Sequence, residues 1–231
     1  MNRSTKIMRT RRIAAVTAVA IIAIAVSLSS TANRAEATPA AHMSLTCGAY
    51  PGALSPCFSD NTGYDYCTPY PWSPEIGHRL IEAMNGIDSA SVIAATLSST
   101  CGPDTDLGGH LNNVGGEFVL ANSTLGMYVC TKRLASRPTT NCNQASLIFN
   151  HTSPWLGQAP HYAAGISKPS WTVDQMRNAR RTVLCHEAGH GLGLKHNAGL
   201  GGCMDSLSIP PTTPTGIGAH AALDIKAAYA P

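Results

Sequence analysis

The sequence predicts an α+β fold in a single domain, on three observations. Segments rich in strand-forming residues come first and helix-patterned segments follow, without the regular alternation of a doubly wound sheet. Once an N-terminal targeting segment is set aside, about 190 of the 231 residues remain, which is the length of one domain with a substantial core. All eight cysteines fall after that segment, an even number that reads as a disulfide framework in an exported chain.

The targeting segment is residues 1–37. Arg3, Lys6, Arg9, Arg11 and Arg12 precede an almost wholly apolar run from Ile13 to Leu28, followed by the small-residue stretch SSTANRAEA. The run is at the short end for crossing about 30 Å of hydrocarbon, so a cleaved signal peptide fits better than a membrane anchor. Ala35 and Ala37 give the small-x-small pattern of a cleavage site, which places the cut after Ala37, with Ala32 as the alternative. The domain is then 38–231. Six of sixteen Lys and Arg residues leave with the segment and only Glu36 of the thirteen acidic ones, so the mature chain has a formal charge of −2. The basic balance of the precursor therefore says nothing of nucleic acid. A secreted monomer without nucleic-acid partners or stable membrane association is expected.

Residues 38–72, rich in Pro, Gly, Tyr and Cys, read as stapled loop with one strand near Asp65 to Tyr70. A helix begins at Ser73, a good N-cap, with Pro74 and Glu75 in its first turn and Ile76, Leu80, Ile81 and Met84 as its apolar stripe. His78 on this helix reads as a surface or packing histidine. Gly102 to Gly116 is Gly- and Asp-rich. Asp104, Asp106 and Glu117 around it could bind calcium, but their spacing fits no EF-hand, and a solvated loop is the simpler reading. Strands are expected over Glu117–Leu120, Met127–Lys132, Ala145–Asn150 and His161–Ile166. Asn122 and Asn150 each open a glycosylation tripeptide. A second helix starts near Thr172, which forms a capping-box pair with Gln175, and Val173, Met176, Val183 and Leu184 line its apolar face. Leu200 to Gly218 reads as loop, and Ala219–Ala230 as a terminal helix.

The second helix runs into HEAGHGLGLKH, from His186 to His196. Four residues apart on a helix, His186 and His190 project from one face and can share a metal. Glu187 lies beside them, placed to take a proton from water on that metal. Gly193 lets the helix end in a sharp turn that returns His196 toward the same point. Three neutral imidazoles leave a fourth position open, the arrangement of one catalytic Zn2+. HExxH alone is a short pattern, but the added Gly and third His at fixed offsets make chance agreement remote.

The segment resembles the metzincin signature of zinc metalloproteases, and Met204 in GGCMDS matches the methionine of the metzincin Met-turn. The likeness is to matrixin-like or snapalysin-like enzymes, and His196, where the latter use Asp, favours the matrixin-like pattern. The resemblance implies a zincin-type domain: a mostly N-terminal twisted sheet, a long zinc-binding helix and a C-terminal helix. It also implies a Met204 floor beneath the metal, a substrate-binding strand edge near His161 to Gly165, and a specificity loop from Ser206 to Gly216. Met204 is followed by Asp205 and Ser206, without the Tyr that astacin-like and serralysin-like enzymes place two positions on, so no oxyanion partner is assigned. LTCGAYPG around Cys47 is similar to a cysteine-switch segment, but a disulfide is the simpler role for Cys47.

If His186 and Met204 meet beneath one metal, their neighbours Cys185 and Cys203 come together as well. A Cys185–Cys203 disulfide is then expected, worth about 3 kcal/mol in the chain-entropy model. The alternative joins Cys185 to Cys130 or Cys142, although those two are well spaced to pair with each other. Three functions remain open: a secreted zinc endopeptidase acting on protein or peptide, a zinc hydrolase of a non-protein amide, and a binding module that retains a zinc site. Intact Glu187 speaks against the last.

Overall fold

A computed structural model describes residues 43–44, 47, 57–70, 72–114, 118–121, 124–153, 171–196, 201–205 and 216–229. All of these lie in one compact unit, Ala37–Pro231. Its elements, in chain order, are β1 (Phe58–Ser59), β2 (Gly63–Cys67), α1 (Pro74–Ala90), β3 (Ala94–Leu97), β4 (Leu107–Leu111), β5 (Gly126–Arg133), β6 (Asn141–Phe149), α2 (Val173–Gly191) and α3 (Ala219–Ala228).

Among the described residues the architecture is mixed α and β, a largely parallel sheet with three helices, in keeping with the expected class. β6 is its axis. β5 pairs antiparallel along one edge of β6, from Gly126↔Phe149 to Arg133↔Cys142. β4 pairs parallel along the other edge, from Leu107↔Ala145 to Leu111↔Phe149, and β1 continues that edge at Phe58↔Asn141. β2 and then β3 extend the sheet beyond β4, again parallel. Among the described residues, β5 is thus an edge strand and the one antiparallel member. Ala145 through Phe149 are buried without a break. Side chains alternate faces along a strand, so both faces of the sheet are covered here.

The helix starts follow the sequence closely. Ser73 Oγ accepts from the Ile76 N–H at 3.4 Å, with Pro74 in the first turn. At α2 the capping box is reciprocal: Gln175 N–H donates to Thr172 Oγ1 at 3.2 Å and Thr172 N–H to Gln175 Oε1 at 2.8 Å. α1 buries Ile76, Leu80, Ala83, Met84 and Ile87 against a core shared with α2. Arg180 of α2, itself buried, pairs with Glu75 of α1 across that contact. α3 ends at Ala228.

Three expectations change. Phe118–Leu120 is not strand. Leu120 N–H donates to Asn112 Oδ1 at 2.6 Å and Asn113 N–H to the Phe118 carbonyl at 2.8 Å, so turn partners occupy groups that a ladder would need. The Gly- and Asp-rich segment, read as loop, contains β4. Asp106, one of the calcium candidates, is buried and accepts from the Asp65 N–H at 2.7 Å, which joins β4 to β2. Asp104 is exposed in a turn, and Glu117 lies outside the described residues. Asn150, finally, is fully buried and not an open glycosylation acceptor. Its Nδ2 donates to the carbonyls of Thr124 at 2.6 Å and Ala121 at 3.1 Å, and its Oδ1 accepts from Asn112 Nδ2 at 2.8 Å and Thr152 Oγ1 at 2.7 Å. Asn122 and the expected strand His161–Ile166 lie outside the described residues.

The Asn150 cluster fixes the chain just before β5, since the Asn150 N–H also donates to the Leu125 carbonyl at 3.0 Å. Asn150→Ala leaves several of these buried groups without partners, so a loss of about 2 kcal/mol or more is expected. The readout is urea unfolding, as a lower midpoint at unchanged slope.

Candidate metal centre

The last two turns of α2 are buried on every side, and the histidines occupy them. His186 Nε2 and His190 Nε2 lie 3.1 Å apart. Leu192 caps the helix, and Gly193 follows at φ +90°, in the left-handed region that glycine enters freely. Leu194 then bridges antiparallel to Met43, and Ser44 N–H donates to the Gly193 carbonyl at 2.7 Å. This turn returns His196 to the pair, with its Nε2 2.8 Å from that of His190.

The other ring nitrogens of the two buried histidines are already committed. His186 Nδ1 donates to the Cys203 carbonyl at 2.8 Å and His190 Nδ1 to the Leu194 carbonyl at 2.7 Å. Each bond fixes the tautomer that leaves Nε2 with a bare lone pair. Burial pushes the same way, holding His186 down at about 4 and His190 at about 3. Lone pairs crowded this closely repel unless a cation or a proton lies between them. Around a metal held at about 2.0–2.1 Å, tetrahedral neighbours stand about 3.3 Å apart, near the spacing here. The three histidines therefore fit a metal ion as one open ligand set.

Met204 is fully buried beneath this turn. It approaches α2 so closely that a Cβ at Gly189 would stand 2.3 Å from its Sδ. Cys203 forms a disulfide with Cys185, Cα atoms 5.9 Å apart, and Cys130 pairs with Cys142 at 5.7 Å. Cys47–Cys57 and Cys67–Cys101 complete four disulfides, leaving no free cysteine. Cys47 thus takes the structural role, not that of a free thiol.

Glu187 is buried against β5. Desolvation pushes its carboxyl up to about 8, opposed by a hydrogen bond from the Tyr128 backbone N–H. The pattern of residues gives β5 as a strand but nothing of this contact. The edge expected from His161 to Gly165 lies outside the described residues, as does residue 206–215 of the expected specificity loop. Among the described residues, β5 is the free edge that reaches Glu187.

No protein family and no curated protein matches the chain. Among solved structures it is similar to two of myroilysin. One has a TM-score of 0.32 and 13% identity over 60% of this chain and 52% of that one. The other has 0.33 and 12% over 66% and 55%. The matches thus span little more than half the length of those chains.

Without a metal, the groups of this site titrate on their own. His186 and His190 are held below the ordinary imidazole value of 6.5, so their contribution to stability is present above that pH and fades as pH falls toward about 4 and 3. Glu187 is held above its ordinary 4.5, so its contribution is full at low pH and is lost as pH rises through about 8. Asp106, raised to about 7 chiefly by burial, acts in the same direction as Glu187. The metal-free chain should therefore melt at falling temperature from about pH 6.5 to 8, and Glu187→Gln should flatten that slope. Melting curves in chelator across this range check it, and equal slopes in the two proteins would reject the assignment.

Proposed function

We propose that the chain is a secreted, zinc-dependent endopeptidase. The observation that carries this reading is the convergence of three Nε2 atoms, two of them on rings fixed by carbonyl partners, with a buried carboxyl on the next residue of the same helix. Neutral imidazoles around an open position suit Zn2+, and a bound zinc would acidify a water and polarise the scissile carbonyl.

The chain's own residues supply the rest. His186, His190 and His196 hold the ion, and Met204 floors the site by packing without ligating. Glu187 takes a proton from the attacking water and delivers it to the departing amine nitrogen, so that water divides between the new carboxyl and the new amine.

The free edge of β5 supports a peptide substrate over a non-protein amide. An extended peptide can add to that edge through main-chain hydrogen bonds, which would carry its scissile bond alongside Glu187. Four disulfides support an extracellular place for the chain. We take the enzyme to act as a monomer.

Metal analysis of the mature chain should return one zinc, and a quenched casein or peptide library should be cleaved in a chelator-sensitive way. Glu187→Gln and Glu187→Ala should keep the zinc, because the base is not a ligand, while turnover falls about 10²–10⁴-fold. Near-normal turnover in either variant would remove Glu187 from the mechanism.

A further inference from the structure

The strand beside Glu187 touches it at two points. A Cβ at Gly126, the first residue of β5, would lie 2.7 Å from Glu187 Cγ, 3.0 Å from its Oε1 and 2.9 Å from Val183 Cγ1. Separations this short are not tolerated between real carbon atoms, so a side chain at this position would force Glu187 to move. Two residues on, the Tyr128 N–H donates to the same carboxyl. Backbone donors two apart in a strand point to one edge, so Gly126 and Tyr128 present the same edge to the helix. The glutamate is therefore held at its methylene by the absence of a Cβ and at its carboxyl by a peptide donor.

The geometry points to Gly126 as a positioning residue: its lack of a side chain, together with the Tyr128 N–H, sets where the Glu187 carboxyl stands relative to the three histidines. This rests on the reading of Glu187 as the general base. The atoms nearest a Cβ at Gly126 belong to Glu187 and Val183, so in this role it acts through Glu187. The competing account is plain packing, in which Gly126 merely lets β5 approach α2. The two accounts differ in what a methyl group there would change. Displaced packing lowers stability, whereas a displaced carboxyl lowers turnover in a chain that still folds, binds zinc and binds substrate.

The test is Gly126→Ala in the mature chain, with zinc content, melting temperature, kcat and KM measured on the folded protein. Positioning predicts that kcat falls about 10²-fold, the cost of misplacing a catalytic group by about 1 Å, while KM and one bound zinc are retained. The same substitution is then made in Glu187→Asp, which withdraws the carboxyl from the strand and keeps residual activity. There Gly126→Ala should cost little more, because the interaction it disrupts has already gone. An equal loss of kcat in both backgrounds, or unchanged kcat in Gly126→Ala, would overturn the proposal. If Gly126→Ala alone does not fold, Gly126→Ala with Val183→Ala relieves the Val183 contact and leaves the one with Glu187. Compared with Val183→Ala, that double variant should still lose kcat, and parity would overturn positioning. Glu187→Gln separates the levels of inference. Full activity there would sink the general-base reading itself, while its loss alongside a fully active Gly126→Ala would sink positioning alone.

Discussion

The hydrogen bond from His186 Nδ1 to the Cys203 carbonyl joins the body of α2 to a turn that the chain reaches only after passing His196. It settles which nitrogen of His186 faces the other rings. The Cys185–Cys203 disulfide holds the acceptor in reach by tying the residue before His186 to the residue that supplies the carbonyl. Met204, next along, fills the space under Gly189 between the two helical histidines. One covalent link, one hydrogen bond and one packed thioether thus join Cys185, His186 and Gly189 of α2 to the adjacent Cys203 and Met204. The His186 ring consequently has little freedom to turn away from its neighbours, which is the preorganisation a ligand set needs.

The far side of the site depends on polar groups of a different kind. Asn112, Asn150 and Thr152 form a buried network that also takes up the carbonyls of Ala121 and Thr124. It satisfies backbone that would otherwise be stranded away from water, and it fixes the approach to β5. β5 in turn sits against Glu187. The imidazoles and the carboxyl are thus supported by separate structures: carbonyl acceptors near the C-terminal end of α2 for the imidazoles, and the sheet edge for the carboxyl.

Much of this was legible in the sequence because it is local. Helix starts are set by a handful of adjacent residues, so Ser73–Pro74 and Thr172–Gln175 mark α1 and α2 to the residue. The His186, His190, Gly193 and His196 spacing is likewise a property of one helix and its turn. What escaped is made by contacts distant in sequence. β3 and β4 have the compositions AATL and LGGHL, poor in β-branched and aromatic residues. They are strands because parallel neighbours pair with them, which propensity cannot register. Phe118–Leu120 errs the other way, its good strand formers losing their backbone partners to Asn112 and Asn113. Nor does any pattern around Gly126 indicate that it meets Glu187, since sixty residues and a sheet strand intervene.

The end of α2 receives donors from the beginning of the chain: Cys57 N–H reaches the His190 carbonyl at 3.1 Å and Ser44 N–H the Gly193 carbonyl at 2.7 Å. The first is a carbonyl of the helix's last turn, which also accepts from the Gly193 N–H at 3.1 Å, and the second belongs to the turn beyond it. Synthesis runs from the N-terminus, so the segment that closes the helix is made more than a hundred residues before the helix it closes, and the Cys203 carbonyl is made last of all. A nascent chain that has already displayed all three histidines still lacks the acceptor that orients the first of them. The three histidines are brought together only when both of these segments are present, so a partly synthesised chain carries the motif without carrying the site.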